Sequence, residues 1–471
     1  MAATAAREPD HALRPQLASQ DDAVLPTRSP SMSQAVPDTR VARRAGIASF
    51  TGTTIEWYDF YIYSSASALV LNKVFFPTVD PAAGTLAAFA TFWVGFLARP
   101  VGGVLFGHLG DRIGRKKTLI TTLLLMGGAT TCVGLLPTYA TIGVAAPLLL
   151  VVLRMLQGVA MGGEWGGAVL IASEHAPKGR KILYGAFAQQ GSPAGNVLAT
   201  LSFLLVAQLP DEAFSSWGWR IPFLASALLV VVSLVIRLSV EESPEMRRLM
   251  ESRTVAKLPI RDVLRSSPLI IALGVGACTI AVSATYFKST FALSWAVSDL
   301  GFQRSTFLTV ILVAGIAQLI FQPLGAVLAT RWDLRRAVTV LLVPELVLMP
   351  AMFWLISTGS LGLSMLGMAV ATLPHAMYYA ALAGILARSF PAHVRYTGIS
   401  LCYQLCTTLF AGTAPMLGQY LMNVTGSIVS VVFLAVAHVL LTLFCVLALL
   451  RRAPSTEGEP VAERPVVARS A

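Results

Sequence analysis

Charged side chains are scarce in this sequence. Only 13% of its 471 residues are Asp, Glu, Lys or Arg, whereas ordinary soluble domains carry about 25%. Hydrophobic residues make up 55% of the chain. A chain of this composition cannot hide its apolar surface inside a water-soluble globule. The shortage of charge therefore excludes an ordinary soluble domain and predicts an integral membrane protein with a lipid-facing exterior.

Cysteines are also few, and catalytic motifs are missing. The five cysteines, Cys132, Cys278, Cys402, Cys406 and Cys445, lie in apolar stretches without a close CxxC pair, so we expect them to pack and expect neither disulfides nor a metal site. No Walker or GxGxxG pattern is present, which argues against a nucleotide-driven pump and a bound cofactor. No nucleophile, base and metal-ligand set falls on one face, so the sequence predicts no enzyme.

Long apolar runs are abundant instead. A run of about 20 residues suffices to cross a hydrocarbon core of about 30 Å as a helix. The runs predict an all-α membrane protein with twelve transmembrane helices. Their approximate spans are 45 to 71, 84 to 110, 118 to 137, 145 to 172, 183 to 209, 219 to 238, 269 to 297, 304 to 330, 337 to 357, 361 to 387, 396 to 422 and 428 to 450.

The distribution of Lys and Arg predicts the orientation. Basic residues are concentrated in the even-numbered connections and nearly absent from the odd-numbered ones, and positive loops stay on the cytoplasmic side. Both termini are therefore predicted to be cytoplasmic, with disordered tails at 1–44 and 451–471. Topology and anionic lipid explain the net charge of +11, so a nucleic-acid partner is not needed.

The longest internal loop, residues 239–268, falls midway through the predicted spans. It divides the chain into six-helix halves at 45–238 and 269–450. Two such halves that face each other across a central cavity suit alternating access, in which one half rocks against the other around a site at the midplane.

Two carboxylates lie deep in the first span. Glu56 and Asp59 are three residues apart and share one helical face. By helical rise they lie roughly 16 Å and roughly 21 Å from the cytoplasmic edge. A carboxylate at such a depth must be protonated, paired or exposed to a water-filled cavity. Proton coupling is one interpretation of the pair, and locking to an arginine for helix packing is the other.

Arginines occur at similar depth. Arg154 in the fourth span lies at the level of Asp59, which suggests an ion pair between them. Arg99 in the second span could grip a substrate carboxylate with its planar guanidinium. Alternatively, Arg99 reaches the cytoplasmic surface or pairs with Glu164. Lys288 in the seventh span has three open interpretations, namely a substrate-anion site, a local counter-ion or snorkelling to the membrane surface.

An ordered set of motifs resembles the major facilitator superfamily and, within it, the metabolite:proton symporters. The motifs are Gly52–Asp59, Gly107–Lys117, Arg154–Gly158 continuing into Gly162–Gly167, Trp217–Pro222 and Val394–Gly398. The resemblance implies the major facilitator fold, a bacterial inner-membrane location, a monomer and uptake of organic acids, amino acids, betaines or shikimate-like compounds with protons. It also implies a coupling role for Arg154 and a gating role for the loop that contains Asp111, Arg112 and Arg115, to which we add Glu164.

The sequence departs from the family in its second half. Ala281-Val282 stands where many relatives have Glu-Asn, Lys288 stands where an aromatic residue is usual, and Tyr378-Tyr379 falls in a stretch where relatives kink at Gly-Pro. These departures leave the substrate open. The excess of cations nevertheless favours a small organic anion, such as a di- or tricarboxylate or a shikimate-like metabolite. The candidate substrate-binding residues are Tyr58, Arg99, Gln189 and Lys288.

Two alternatives to organic-anion import remain. An osmoprotectant carrier of proline or betaine is one, although such relatives often end in a coiled coil and the C-terminal tail has no heptad pattern. A membrane sensor without transport is the other, but neither tail is large enough for an output domain.

Overall fold

The computed structural model describes residues 39–113, 115–162, 181–239, 264–265, 267–390 and 395–452. These residues are helical, with short turns between helices and no strand. The helices are α1 (Thr39–Leu69), α2 (Leu71–Phe75), α3 (Pro81–Leu97), α4 (Arg99–Ile113), α5 (Arg115–Leu135), α6 (Tyr139–Ile142), α7 (Ala145–Gly162), α8 (Lys181–Val206), α9 (Asp211–Ser216), α10 (Ile221–Leu238), α11 (Pro268–Tyr286), α12 (Ala292–Ser298), α13 (Arg304–Arg331), α14 (Leu334–Ser357), α15 (Leu361–Ser389), α16 (Arg395–Cys406), α17 (Thr413–Thr425) and α18 (Ile428–Arg452).

Most predicted spans coincide with membrane-length helices. In the described part of the chain, nine helical stretches are long and apolar enough to cross a membrane: Pro81–Phe106, Lys116–Leu135, Ala145–Gly162, Gly218–Leu238, Pro268–Ser298, Arg304–Ala329, Leu334–Ser357, Leu361–Leu386 and Ile428–Arg452. They match the predicted spans except the first, fifth and eleventh. The all-α membrane architecture is therefore confirmed. The count of twelve, the cytoplasmic termini and the division into halves stay predictions. Residues 39–44 and 451–452 of the predicted tails are helical, within α1 and α18, and the rest of the tails lies outside the described residues.

The three remaining spans are helical but more polar, and burial explains why. Helix α1 packs against α8, α10 and α3, so it meets protein on most sides. All three segments carry buried polar side chains, among them Ser64 on α1, Asn196 on α8 and Thr407 after α16. Helices that do not face lipid can hold polar groups at membrane depth. Apolar side chains face outward elsewhere, as at Leu228, Val347 and Phe433, which are 69%, 68% and 71% exposed.

The second predicted span is broken at Arg99-Pro100, where α3 ends and α4 begins. Pro100 has no N–H, so the carbonyl of Phe96, four residues earlier, loses its usual helical donor. Thr408 supplies a replacement, because its Oγ1 donates to the Phe96 oxygen at 2.9 Å. Trp93 Nε1 donates in turn to the Thr408 carbonyl at 2.9 Å. The proline thus creates a polar contact between α3 and the π-helical turn at Thr407–Ala411.

Small residues bring α3 and α4 close to α7. A Cβ added at Gly158 would lie 2.0 Å from the Gly95 carbonyl oxygen, and one at Gly162 would lie 2.0 Å from the Arg99 carbonyl oxygen. Only glycine permits this approach. Gly158 and Gly162 thus serve close helix contact. The contact places Arg99 and Arg154 side by side.

All five cysteines are free thiols, as expected, and four of them are buried.

Candidate functional site

Asp59 is buried on α1, with 1% of its surface exposed. Its hydrogen bonds come from hydroxyls on two other helices. Ser226 on α10 donates to Oδ1 at 2.5 Å, and Thr130 on α5 is placed to donate to Oδ2 at 3.0 Å. No cation among the described residues forms an ion pair with this carboxyl. The predicted direct ion pair between Asp59 and Arg154 is therefore wrong.

Two neutral side chains connect Arg154 to Asp59 instead. Arg154 Nη1 donates to Gln157 Oε1 at 2.7 Å, and Gln157 Nε2 donates to Thr130 Oγ1 at 2.7 Å. Gln157 lies three residues after Arg154 and shares its helical face. The arginine is at the level expected from helical rise, but the amide and the hydroxyl occupy the space between the two charges.

Glu56 has a different partner from its helical neighbour. Its Oε1 lies 2.6 Å from Nη2 of Arg237, and the two side chains are 4% and 9% exposed. Arg237 Nη1 also donates to the Leu119 carbonyl at 2.6 Å. A Cβ at Gly52 would lie 2.6 Å from the same Nη2, so Gly52 leaves the room that the guanidinium occupies. Glu56 thus forms the arginine pair of the helix-packing interpretation, and α1 is tied to α10 and α5.

Arg99 and Arg154 lie among aromatic rings. Their Cζ atoms lie 4.3 Å and 4.7 Å from the centroid of the Phe60 ring. Arg154 also lies 3.9 Å from the ring of Tyr63, and Arg99 lies 4.1 Å from that of Phe96. The negative faces of aromatic rings attract such cations. Neither arginine forms an ion pair with a carboxylate of the described chain, and both Nε atoms are buried without a hydrogen-bond partner.

Aromatic residues line a cavity of about 330 Å³ close to Arg99. Its walls include Trp57, Tyr61, Ser192, Thr285, Tyr286, Gln318, Tyr379, Tyr403 and Thr407. The hydroxyls of Tyr379 and Tyr403 are 3.0 Å apart, whereas the buried Tyr286 hydroxyl has no hydrogen-bond partner. Arg99 interacts electrostatically with these three tyrosines. The cavity thus places tyrosine hydroxyls beside a cation.

Two predicted substrate-binding residues do not line this cavity. Tyr58 points its hydroxyl away from it and donates to the Pro222 carbonyl at 2.8 Å, which ties α1 to α10. Gln189 takes part in a hydrogen bond through its backbone, because its carbonyl accepts from Gln322 Nε2 at 3.3 Å. Both assignments assumed that a polar side chain at the right depth faces the interior cavity, and depth alone does not determine the direction.

Lys288 lies in a π-helical turn, Phe287–Phe291, that follows α11. Only 5% of its surface is exposed. Its Nζ donates to Thr372 Oγ1 at 3.0 Å and lies 2.9 Å from His375 Nδ1. It lines a second cavity of about 260 Å³, which shares Thr285 and Gln318 with the first. Lys288 therefore faces the protein interior, and the snorkelling interpretation is wrong.

The predicted gating residues cannot be placed. The side chains of Asp111, Arg112 and Arg115, and the whole of Glu164, lie outside the described residues.

Sequence reasoning missed one buried carboxylate. Glu345 on α14 is completely buried, and no described side chain hydrogen-bonds to either carboxyl oxygen. It lies inside a predicted span, so the rule that identified Glu56 and Asp59 also applies to it. The polar partners Gln157, Thr130 and His375 carry no comparable signal, because uncharged side chains are common in membrane helices.

The comparisons with known proteins agree with this architecture. The chain matches the family model of the Major Facilitator Superfamily over residues 49–401 and 273–470. It is 39% identical to the inner membrane metabolite transport protein YhjE of Escherichia coli K12 over 392 residues, which cover 80% of this chain and 87% of that protein. It is 40% identical to the shikimate transporter of Escherichia coli K12 over 386 residues, covering 81% and 88%.

A solved structure of a D-xylose-proton symporter has the same fold. It superimposes with a TM-score of 0.69 at 17% identity and covers 88% of this chain and 99% of its own. The helices, the buried charges and these relatives agree on a transporter rather than an enzyme. The chain belongs to the Major Facilitator Superfamily and is a multi-pass metabolite transporter of the inner membrane.

Proposed function

We propose that this transporter imports a small organic anion together with protons by alternating access. Asp59 is the proton carrier, and Arg99 with the tyrosine-lined cavity binds the anion. The observation that carries the proposal is the contrast between the two carboxyls of α1. Glu56 forms an ion pair with Arg237, whereas the hydrogen-bond partners of the Asp59 carboxyl among the described residues are hydroxyls.

The environment of Asp59 suits reversible protonation. An ionised carboxylate at membrane depth without a paired cation costs several kcal/mol, so loss of charge by protonation is favourable there. The hydroxyls of Ser226 and Thr130 can hydrogen-bond to the ionised or to the protonated carboxyl of Asp59, because a hydroxyl both donates and accepts hydrogen bonds. A chain of hydrogen bonds through Thr130 and Gln157 connects the Asp59 carboxyl, and thus its protonation state, to Arg154. Protonation at Asp59 thus changes the field and the hydrogen bonding that Arg154 experiences.

The balance of buried charge favours an anion, although the excess of cations is smaller than the sequence suggested. Lys288 does not count as a free cation, because Glu345 interacts with it electrostatically. The excess comes from Arg99 and Arg154, neither of which forms an ion pair with a carboxylate of the described chain. Protonation of Asp59 increases this excess. A positive cavity attracts an anionic substrate, so proton binding and anion binding support each other.

The cavity lining suggests the substrate class. Tyrosine hydroxyls, Ser192 and Gln318 can donate and accept hydrogen bonds, and the faces of Trp57 and Tyr286 can cover a flat or ring-shaped body. A hydroxylated cyclic acid has a ring for the aromatic faces and polar groups for these hydrogen bonds. Among the relatives, the shikimate transporter makes such a molecule the first candidate.

Contacts between the two predicted halves are points that alternating access must break. Trp93 and Thr408 join α3 to the second π-helical turn. Arg304 at the start of α13 forms an ion pair with Asp211 of α9. We propose that these contacts break as the halves move, while the residues around Arg99 remain in place.

Uptake into proteoliposomes tests the proposal. Purified protein is supplied with labelled shikimate, 2-oxoglutarate or betaine, with and without an acid exterior. We expect accumulation of an acid, stimulated by the proton gradient, and no accumulation of betaine. Uptake that does not respond to the gradient contradicts symport, and preferential uptake of betaine contradicts the anion site.

An Arg99→Lys variant tests the binding residue itself. The substitution keeps the charge and removes the planar fork, so the affinity for a carboxylate substrate should fall. Unchanged affinity would remove Arg99 from the site.

A further inference from the structure

A buried group of titratable side chains lies outside the site around Asp59. Glu345 on α14, Lys288 in the first π-helical turn and His375 on α15 are exposed by no more than 5%. Three separate parts of the chain contribute one member each. This site is distinct from the Asp59 site, because its members come from helices after residue 264 whereas Asp59 and its partners come from helices before residue 239.

The carboxyl of Glu345 has no side-chain donor. Both of its oxygens are buried, no described side chain donates a hydrogen bond to them, and the backbone N–H of His375 is the donor that approaches them. The Lys288 ammonium is the cation that interacts with it across the intervening space. A buried carboxylate with so few hydrogen bonds is costly, whereas the protonated acid is not. The surroundings of Glu345 therefore fit a group that gains and loses a proton.

The ammonium of Lys288 has one donor to spare. It carries three N–H groups. One faces Thr372 Oγ1 at 3.0 Å and a second faces His375 Nδ1 at 2.9 Å. Acceptance at Nδ1 requires a neutral imidazole, so His375 holds the lysine in place without adding charge. The third N–H is available, and Lys288 lines the cavity of about 260 Å³.

Few other titratable groups face this site. Helix α18 packs against both α11 and α14, and its histidine, His438, is hydrogen-bonded through Nδ1 to Ser283 Oγ at 2.9 Å. Tyr378 on α15 donates its hydroxyl to the Ala277 carbonyl at 2.7 Å. Among the described groups around this site, Glu345 and Lys288 are thus the two whose charges interact with each other.

We propose that Glu345, Lys288 and His375 form a second proton-binding site. Glu345 takes the proton, and Lys288 alternates between the Glu345 carboxylate and the carboxylate of an anionic ligand in the cavity. When the ligand accepts the third N–H of Lys288, Glu345 loses its counter-ion and takes up one proton from the water of the cavity. One negative charge and one positive charge then enter together, and the net charge of the site stays constant. The ligand step depends on the proposed anion transport, whereas the proton site does not.

Infrared difference spectroscopy of the reconstituted protein, without any substrate, tests the proton site. Spectra recorded between acidic and alkaline pH report carboxyl groups through the carbonyl band of the protonated acid. The wild type should show two buried carboxyl bands that disappear as the pH rises. The Glu345→Gln variant should lack one of them, and the matched Asp59→Asn variant should lack the other.

A Lys288→Met variant tests whether Lys288 controls the proton affinity of Glu345. The Glu345 band should respond to loss of the ammonium, and its titration midpoint should move by at least about one pH unit. The Asp59 band should keep its midpoint. A Glu345→Gln spectrum identical to that of the wild type overturns the proposal, as does an unchanged midpoint in Lys288→Met. If Glu345→Gln does not fold, the Lys288→Met spectrum alone decides. Since no substrate is added, these results are independent of whether uptake is proton-driven.

Discussion

Gly95 on α3 lies directly against the guanidinium of Arg154 on α7. A Cβ at residue 95 would lie 2.7 Å from Nη2 and 3.0 Å from Cζ. The arginine can hold its hydrogen bond to Gln157 only because this position has no side chain.

A Gly95→Ala substitution should therefore reduce transport without unfolding the protein. The guanidinium must shift, and its hydrogen bond to Gln157 is lost. The loss of one charge-assisted bond, worth about 1.5 kcal/mol, corresponds to about a tenfold decrease in gradient-driven uptake. Gly128→Ala on α5 is the matched control, because a Cβ there meets no atom within 4 Å. Equal uptake by the two variants would show that the position of Arg154 does not matter.

The Glu56–Arg237 pair should support stability and not proton coupling. A Glu56→Gln variant removes the carboxylate charge of this buried ion pair, and breaking a buried ion pair typically costs about 3–5 kcal/mol. The unfolding temperature in detergent should fall clearly, while the protein that remains folded should still respond to a proton gradient. Replacement of both residues by Met should restore much of the stability. A Glu56→Gln protein of normal stability that no longer responds to the gradient would return Glu56 to the coupling site.

Two adjacent tyrosines of α15 allow a matched test of the role of the cavity. Tyr379 lines it, whereas the hydroxyl of its neighbour Tyr378 donates to the Ala277 carbonyl. Tyr379→Phe should raise the KM for the transported acid roughly fivefold, as expected for about 1 kcal/mol of lost hydrogen bonding. Tyr378→Phe should lower thermal stability by a similar amount and leave the KM unchanged. The opposite pattern would place the substrate elsewhere.

The contact between Arg304 and Asp211 should not respond to physiological changes in pH. The hydrogen bond and charge of Arg304 lower the pKa of the exposed Asp211 below its ordinary value. A carboxylate with a lowered pKa contributes its ion pair at every pH above the ordinary carboxyl range, and the contribution is lost only as the pH falls through the lowered value. Asp211→Asn should therefore leave the shape of the pH profile of uptake unchanged across neutral and mildly acidic pH. A profile that flattens in this variant would place a pH sensor at this contact.

The sequence predicted the helices better than the contacts of their charged side chains. Apolar runs identify membrane helices because lipid forces every backbone polar group into an intrahelical hydrogen bond. Helical rise likewise placed Arg154 at the depth of Asp59. Depth does not give the direction in which a side chain points, so neither the interposed Gln157 nor the turn of Tyr58 toward α10 could be predicted.

Ion pairs between residues that are far apart in the sequence could not be predicted either. Arg237 meets Glu56 although 181 positions separate them, and the identity of the partner depends on how α10 packs against α1. Glu345 is a different case, because a carboxylate within an apolar span is visible in the sequence alone. Its recognition removes Lys288 from the excess of buried cations and leaves Arg99 and Arg154 as the source of that excess.

Comparison of two transport modes in one variant tests the central claim that Asp59 carries the proton. Asp59→Asn keeps the size of the side chain and cannot exchange a proton. In proteoliposomes it should fail to accumulate the substrate against a gradient, yet it should still exchange external labelled substrate for internal unlabelled substrate. An Asp59→Asn protein that accumulates substrate in response to a proton gradient as the wild type does would contradict the account.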